Sequence, residues 1–172
     1  IGATAEMYAM EAFKRYKADA VTVNPYMGTD TLKPFSDYAD RGTVILCRTS
    51  NPNSGDIQGL MADDLEVYKH VAIMAEKKWN YNKNIMLVIG ATYPEELKSV
   101  RSICPTIPFL VPGVGAQGGD AAAVVKNGAD KNGKGLVVNS SRGIIYADST
   151  ENFAAGAAEA TKQLRDLLNQ YR

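Results

Sequence analysis

The run Pro112-Gly113-Val114-Gly115-Ala116-Gln117-Gly118-Gly119-Asp120 carries residue types suited to holding an anion. Its glycines let backbone N–H groups turn inward, and Gln117 is the long polar side chain on the loop. A second cluster, Asn139-Ser140-Ser141-Arg142-Gly143, adds a guanidinium among small residues. A glycine nest beside an arginine makes a phosphate grip: the nest offers N–H groups and the arginine a charge-assisted fork. Each cluster follows a short apolar run, Phe109-Leu110-Val111 or Leu136-Val137-Val138, so both sit where buried strands end.

The elements that must position these loops alternate along the chain. The spacing predicts a helix from Thr4 to about Lys17, with Thr4 as N-cap and Met7, Met10, Phe13 and Tyr16 as its apolar stripe. A strand at 20–24, a turn at 25–28 and a helix at 29–40 follow, with Pro34 in that helix's first turns and Gly42 as its stop. Strand 43–47 leads into a polar loop, 48–61, and a helix starts at Asp63 or Asp64 and runs to about Trp79. Strand 85–89, helix 94–103 and strand 108–111 come next. After the glycine loop come a helix at 120–127 capped by Asp120, a strand at 136–140 and a helix at 151–171. The last helix is expected to bury Phe153, Ala157, Leu164, Leu167, Leu168 and Tyr171.

The strands are apolar and β-branched rather than alternating, as strands buried on both faces are. A helix followed by five βα units implies an α/β protein with a parallel sheet and helices outside it. A doubly wound sheet and part of a (β/α)8 barrel both satisfy that pattern. Gly113-x-Gly115-x-x-Gly118 fits the dinucleotide fingerprint, which also requires an acid at the end of the next strand. That strand ends instead in Asn139-Ser140-Ser141-Arg142. Barrel enzymes commonly bind phosphate with the loops after their seventh and eighth strands. On that count the chain covers about the last five βα units of a (β/α)8 TIM barrel. Residues 1–172 are then the C-terminal part of a single domain, with leading units of about 80–100 residues absent.

With 172 residues and a formal net charge of zero, the chain has no global field to steer it to nucleic acid or an acidic membrane. No secretory signal and no bilayer-spanning apolar run is expected. Cys47 and Cys104 read as buried free thiols of a cytoplasmic protein, without zinc-ligand spacing. His70, the single histidine, reads as structural because it falls in the middle of a helix. Asp56, Asp63 and Asp64 read as a solvated loop and a helix start.

Over its whole length the chain resembles the orotidine 5′-phosphate decarboxylase family. The resemblance rests on the Pro112–Asp120 loop, on Ser140-Ser141-Arg142-Gly143 and on Thr49-Ser50-Asn51-Pro52. Val23-Asn24-Pro25-Tyr26-Met27-Gly28 resembles the longer, bacterial-type branch. The resemblance implies that Gln117 and Arg142 bind a phosphate, helped by backbone N–H groups around Ser141 and Gly143. Ser141 stands where family members show glycine, and its N–H is retained. Ser50 would hydrogen-bond a pyrimidine ring, and Pro112 would pack beside it at the carboxylate's exit. The loop from Ser50 to Met61 and the glycine loop would close over the ligand.

The family's catalytic segment reads Asp-x-Lys-x-x-Asp-Ile-x-x-Thr. Ile1 and Thr4 match its last two marked positions and would act in a neighbouring copy's site. The lysine and aspartates would precede Ile1, so the segment alone is expected to be inactive, with no catalytic residue of its own. The reaction implied is decarboxylation of orotidine 5′-monophosphate to uridine 5′-monophosphate (UMP) in de novo pyrimidine biosynthesis, without metal or organic cofactor. A homodimer with shared sites is implied, with no nucleic-acid or membrane partner. Without the resemblance, the same residues fit another phosphate-binding barrel, such as a sugar-phosphate isomerase, epimerase or synthase. They also fit a non-catalytic phosphate-binding module.

Overall fold

Short runs of β-branched residues become the strands of one parallel sheet. The protein's computed structural model describes residues 1–115 and 119–172. In chain order the elements are α1 (Gly2–Met10), β1 (Ala20–Val23), α2 (Thr29–Ser36), β2 (Gly42–Arg48) and α3 (Gly55–Gln58). A hairpin of β3 (Met61–Ala62) and β4 (Leu65–Glu66) precedes α4 (Val67–Met74), β5 (Ile85–Ile89) and α5 (Pro94–Ile103). Then come β6 (Phe109–Pro112), α6 (Ala121–Gly128), β7 (Leu136–Asn139), α7 (Ser141–Ile145) and α8 (Phe153–Asn169). The sheet order is β1-β2-β5-β6-β7, and every neighbouring pair is parallel.

The main core joins the sheet to the helices that cover it. Ile45, Leu87, Ile89, Phe109 and Val111 from the strands pack with Ala72, Leu97, Val100 and Val124 from α4, α5 and α6. Each large aliphatic or aromatic side chain so buried contributes about 1.5–3 kcal/mol. Burial on both faces holds for the inner strands β2 and β5 but not for β1 and β7, where exposed and half-buried residues alternate. Those two strands are the margins of the described sheet and have a neighbour on one side only.

Three helices depart from expectation. The apolar stripe of α1 and of the π-helical turn Glu11–Arg15 that continues it is Ala5, Ala9 and Phe13, while Met7, Met10 and Tyr16 are exposed. Two alanines four residues apart let α2 approach closely, and Phe13 then meets Phe35 edge-on at 6.4 Å. Thr4 is not an N-cap, because α1 already starts at Gly2. The helix expected at Asp63 or Asp64 begins only at Val67. Both aspartates instead form the turn between β3 and β4, with φ of 48° and 63°, as a two-residue hairpin of the primed type requires. His70 has the structural role expected of it, its Nε2 lying 2.7 Å from the Ala62 carbonyl oxygen of that hairpin. In α8 no residue is fully buried: Leu164 and Leu168 pack partly on the core, whereas Phe153, Leu167 and Tyr171 stay exposed.

At the N-terminal ends of the strands, Arg101 staples the helices to the sheet. Its guanidinium donates to the carbonyls of Gly128, Cys104 and Ile107, each at 2.8 Å, and stacks 3.7 Å from the Phe109 ring centroid. Among the described residues, no helix is long and apolar enough to cross a membrane.

Candidate functional site

Because the strands run in one direction, their C-terminal ends share one rim. Pro112, the last residue of β6, pairs in register with Asn139, the last of β7. The two strand ends enclose a concavity of about 70 Å³ lined by Pro112, Gly113, Val114, Asn139, Ser140, Ser141 and Arg142. Ser140 ties the loops together, its Oγ donating to the Val114 carbonyl at 3.3 Å.

Ser141, Arg142 and Gly143 are the first residues of α7, a short helix that the sequence pattern left as loop. Their N–H groups fall where a helix has no internal acceptors for its donors, a geometry that suits an anion. Gly143 leaves room for Ser140, since a Cβ there would lie 2.7 Å from Ser140 Oγ. Ser141, Arg142 and Gly143 are all exposed, so this surface is open to a ligand.

The glycine loop closes on itself. Gly115 N–H donates to the Gly119 carbonyl and Gly119 N–H to the Gly113 carbonyl, each at 3.1 Å. Gly113 and Gly115 take φ of 97° and 78°, conformations that side-chain-bearing residues resist. Asp120 caps α6 as expected, accepting the Ala122 N–H at 2.9 Å. Gln117 lies outside the described residues.

Ser50 stands on the same rim, two residues beyond the end of β2. Its backbone and Cβ press on Gly90, just after β5, where an added Cβ would meet Ser50 Cβ at 2.8 Å. Gln58 on α3 grips the preceding residue: its Oε1 accepts the Thr49 N–H at 2.9 Å and its Nε2 donates to Thr49 Oγ1 at 2.8 Å.

Arg48, which closes β2, was hidden in what reads as a polar loop. It is 6% exposed. Its guanidinium donates to both carboxylate oxygens of Glu96, at 2.5 and 3.2 Å, and to Ser54 Oγ at 2.5 Å. It also lies 4.4 Å from the Tyr93 ring centroid. The available signal was a lone arginine ending the apolar run Val44-Ile45-Leu46-Cys47 and a glutamate in the first turn of α5. Next to it, the Cys47 thiol donates to the Tyr68 carbonyl at 3.2 Å, and burial pushes its pKa far up. Burial also raises the Cys104 thiol, to about 12. Neither sulfur is a nucleophile in this setting.

Ile1 and Thr4 do not join these residues within one copy. They line a separate groove of about 560 Å³, together with Tyr8, Tyr16, Val23 and Met27, beside β1 at the opposite margin of the sheet from β7.

A family model described as "Orotidine 5'-phosphate decarboxylase / HUMPS family" matches residues 1–157. The orotidine 5'-phosphate decarboxylase of Dechloromonas aromatica is 52% identical over 172 residues, which are 100% of this chain and 64% of that protein. Among solved structures, Leishmania donovani UMP synthase superposes with a TM-score of 0.88 at 43% identity, over 98% of this chain and 37% of that one. Leishmania donovani OMP decarboxylase superposes with a TM-score of 0.86 at 40% identity, over 98% of this chain and 64% of that one. The chain thus spans slightly less than two thirds of the length of the curated relatives it matches.

These matches correct three expectations. Where the likeness of a C-terminal portion was expected, the match runs along 100% of the chain and 64% of the relative. Where only the last five βα units of a barrel were expected, the likeness to (β/α)8-barrel structures extends over 98% of the chain, on a described sheet of five parallel strands. That assignment counted strands from the usual place of a phosphate loop, which is a habit of barrels and not a pairing constraint. The expectation of an inactive segment without catalytic residues gives way to a decarboxylase family model that matches from residue 1 to residue 157.

Proposed function

The chain belongs to the orotidine 5′-phosphate decarboxylase / HUMPS family, and from that membership we propose that it serves the conversion of orotidine 5′-monophosphate to UMP and CO2 in pyrimidine nucleotide synthesis. One observation carries the proposal: Ser50, Pro112 and Ser141 to Gly143 meet the same rim from the ends of β2, β6 and β7. Arg142 and the N–H groups of the first turn of α7 take the phosphate, and Gln117 adds a donor from the glycine loop. Pro112 packs beside the pyrimidine ring, and Ser50 hydrogen-bonds its edge.

The chemistry needs such a layout. When CO2 leaves, the bonding electron pair stays on the ring carbon until a proton takes the place of the carboxylate. Fixed charges and dipoles in a closed site stabilise that state without reorganisation. The phosphate is remote from the breaking bond, so its binding energy can order the loops and raise turnover. The test is CO2 release from orotidine 5′-monophosphate by the purified chain, with UMP binding alongside. Turnover supports the proposal, and a chain that neither turns over nor binds UMP overturns it.

A homodimer with shared sites is part of the same proposal. Its support is the exposure of Ile1, Tyr8, Tyr16 and Met27 around one groove, at 80, 61, 68 and 61%. Clustered apolar exposure of that kind marks an interaction surface. Ile1 and Thr4 would then complete the neighbour's site, and sedimentation equilibrium reads the association directly. The assignment of residues 1–172 to a single domain has its support in Val23 of β1, which packs against both the main core and the Ala5, Ala9, Phe13 and Phe35 cluster. A cytoplasmic location has its support in two buried free thiols, ordinary in a reducing compartment.

A further inference from the structure

We infer that Gln58, locked by the buried Arg48–Glu96 pair, is a positioning residue for Ser50 and so sets recognition of the pyrimidine ring separately from the phosphate. The inference rests on the substrate reading above and deepens it.

The segment carrying Ser50 has little apolar anchorage. Ile57 and Leu60 are each 55% exposed, so hydrophobic burial does not hold the loop in place. Hydrogen bonds do so instead. Both ends of the Gln58 amide engage Thr49, one through its backbone N–H and the other through its hydroxyl. The Thr49 hydroxyl in turn donates to Asn51 Oδ1 at 2.6 Å. The residues on either side of Ser50 are therefore gripped, while Gly90 blocks retreat from below.

Gln58 is itself restrained. Its Oε1 accepts a longer contact from Arg48 Nη1 at 3.4 Å. Arg48 cannot swing away, because leaving its charge buried without Glu96 would be strongly unfavourable. The Tyr93 ring and Ser54 Oγ fill the remaining sides of the guanidinium. The chain of contacts runs Glu96, Arg48, Gln58, Thr49, so the first turn of α5 sets where Ser50 stands. Pro112 lies on β6 and Arg142 on α7, both outside this chain of contacts.

The experiment compares the full chain with Gln58→Met, which keeps volume and removes both amide bonds. Gln58→Glu, which keeps the acceptor and loses the donor, is the second variant. Gln58 is half-exposed, so both are expected to melt cooperatively. Calorimetry measures binding of UMP and, separately, of ribose 5-phosphate, which carries the phosphate and sugar without the base. Gln58→Met is expected to weaken UMP about tenfold and ribose 5-phosphate by less than about twofold, with Gln58→Glu in between at about threefold. Equal weakening of both ligands, or no weakening of UMP in either variant, overturns the positioning role. A wild-type chain that binds UMP no better than ribose 5-phosphate overturns the substrate reading and this inference with it.

Discussion

Gly90 and Ser50 touch so closely that no side chain fits between them, since an ideal Cβ on Gly90 would lie 2.8 Å from Ser50 Cβ and 2.9 Å from its Cα. The contact joins the end of β5 to the loop after β2. It makes glycine at position 90 a condition for where Ser50 stands.

Gly90→Ala is therefore expected to push the Ser50 loop outward. Overpacking of this kind costs about 1–3 kcal/mol, which urea denaturation will read. UMP binding should fall with it. Unchanged stability and unchanged UMP affinity would show that the loop yields without consequence.

Arg142→Ala is expected to remove the proposed charge-assisted hydrogen bond to the phosphate without touching the core, since Arg142 is exposed on the first turn of α7. Such a bond is worth about 1.5–3 kcal/mol, or one to two powers of ten in affinity. UMP should weaken by that factor, while uridine, which lacks the phosphate, should barely change. Equal losses for nucleotide and nucleoside would remove Arg142 from the phosphate role.

Asp64→Gly should stabilise the protein. Asp64 holds φ of 63° in the β3–β4 turn, a conformation that costs a side-chain-bearing residue about 1–2 kcal/mol and glycine almost nothing. After the greater unfolded-state entropy of glycine is subtracted, a net gain of about 0.5 kcal/mol is expected. Thermal unfolding checks it, and a lower melting temperature would contradict the turn geometry.

Both cysteines should resist thiol reagents in the native state. Burial raises Cys104 to about 12 and Cys47 further. In the unfolded chain thiols ionise near pH ~8.5. Above that pH the unfolded state binds fewer protons than the native state, so stability should fall as pH rises from about 9 to about 12. Tyr68, whose phenol is also raised by burial, adds to the same trend at its upper end. Urea midpoints measured at several alkaline pH values test the sign, and rapid labelling of either native thiol at neutral pH would contradict its burial.

Much of the chain was legible before folding. The apolar runs at 85–89 and 108–111 become strands, the second shifted by one residue, Pro94 opens α5, and Asp120 caps α6, because each depends on a few neighbouring residues. The order of strands and loops likewise placed Ser50, Pro112 and Arg142 at strand ends. The misses share one cause. Asp63 and Asp64 suit a helix cap and a tight turn equally well, and only pairing of Met61 with Glu66 selects the turn. Met7 and Met10 looked like a core stripe, yet the close approach of α2 selects Ala5 and Ala9.

The sequence by itself determined the strand–helix alternation, the glycine- and arginine-bearing loops at the strand ends and the family, since these are properties of local pattern and motif. Only the tertiary structure decided that Arg48 is buried against Glu96, that Gln58 holds Thr49, and that Gly90 bears on Ser50. Those partners lie 9 to 48 residues apart in the chain, and 40 residues separate Gly90 from Ser50. An arginine at a strand end is a solvated cation or a buried pivot according to what the sheet brings beside it. Parallel pairing of β2 with β5 is what brings Gly90 beside Ser50.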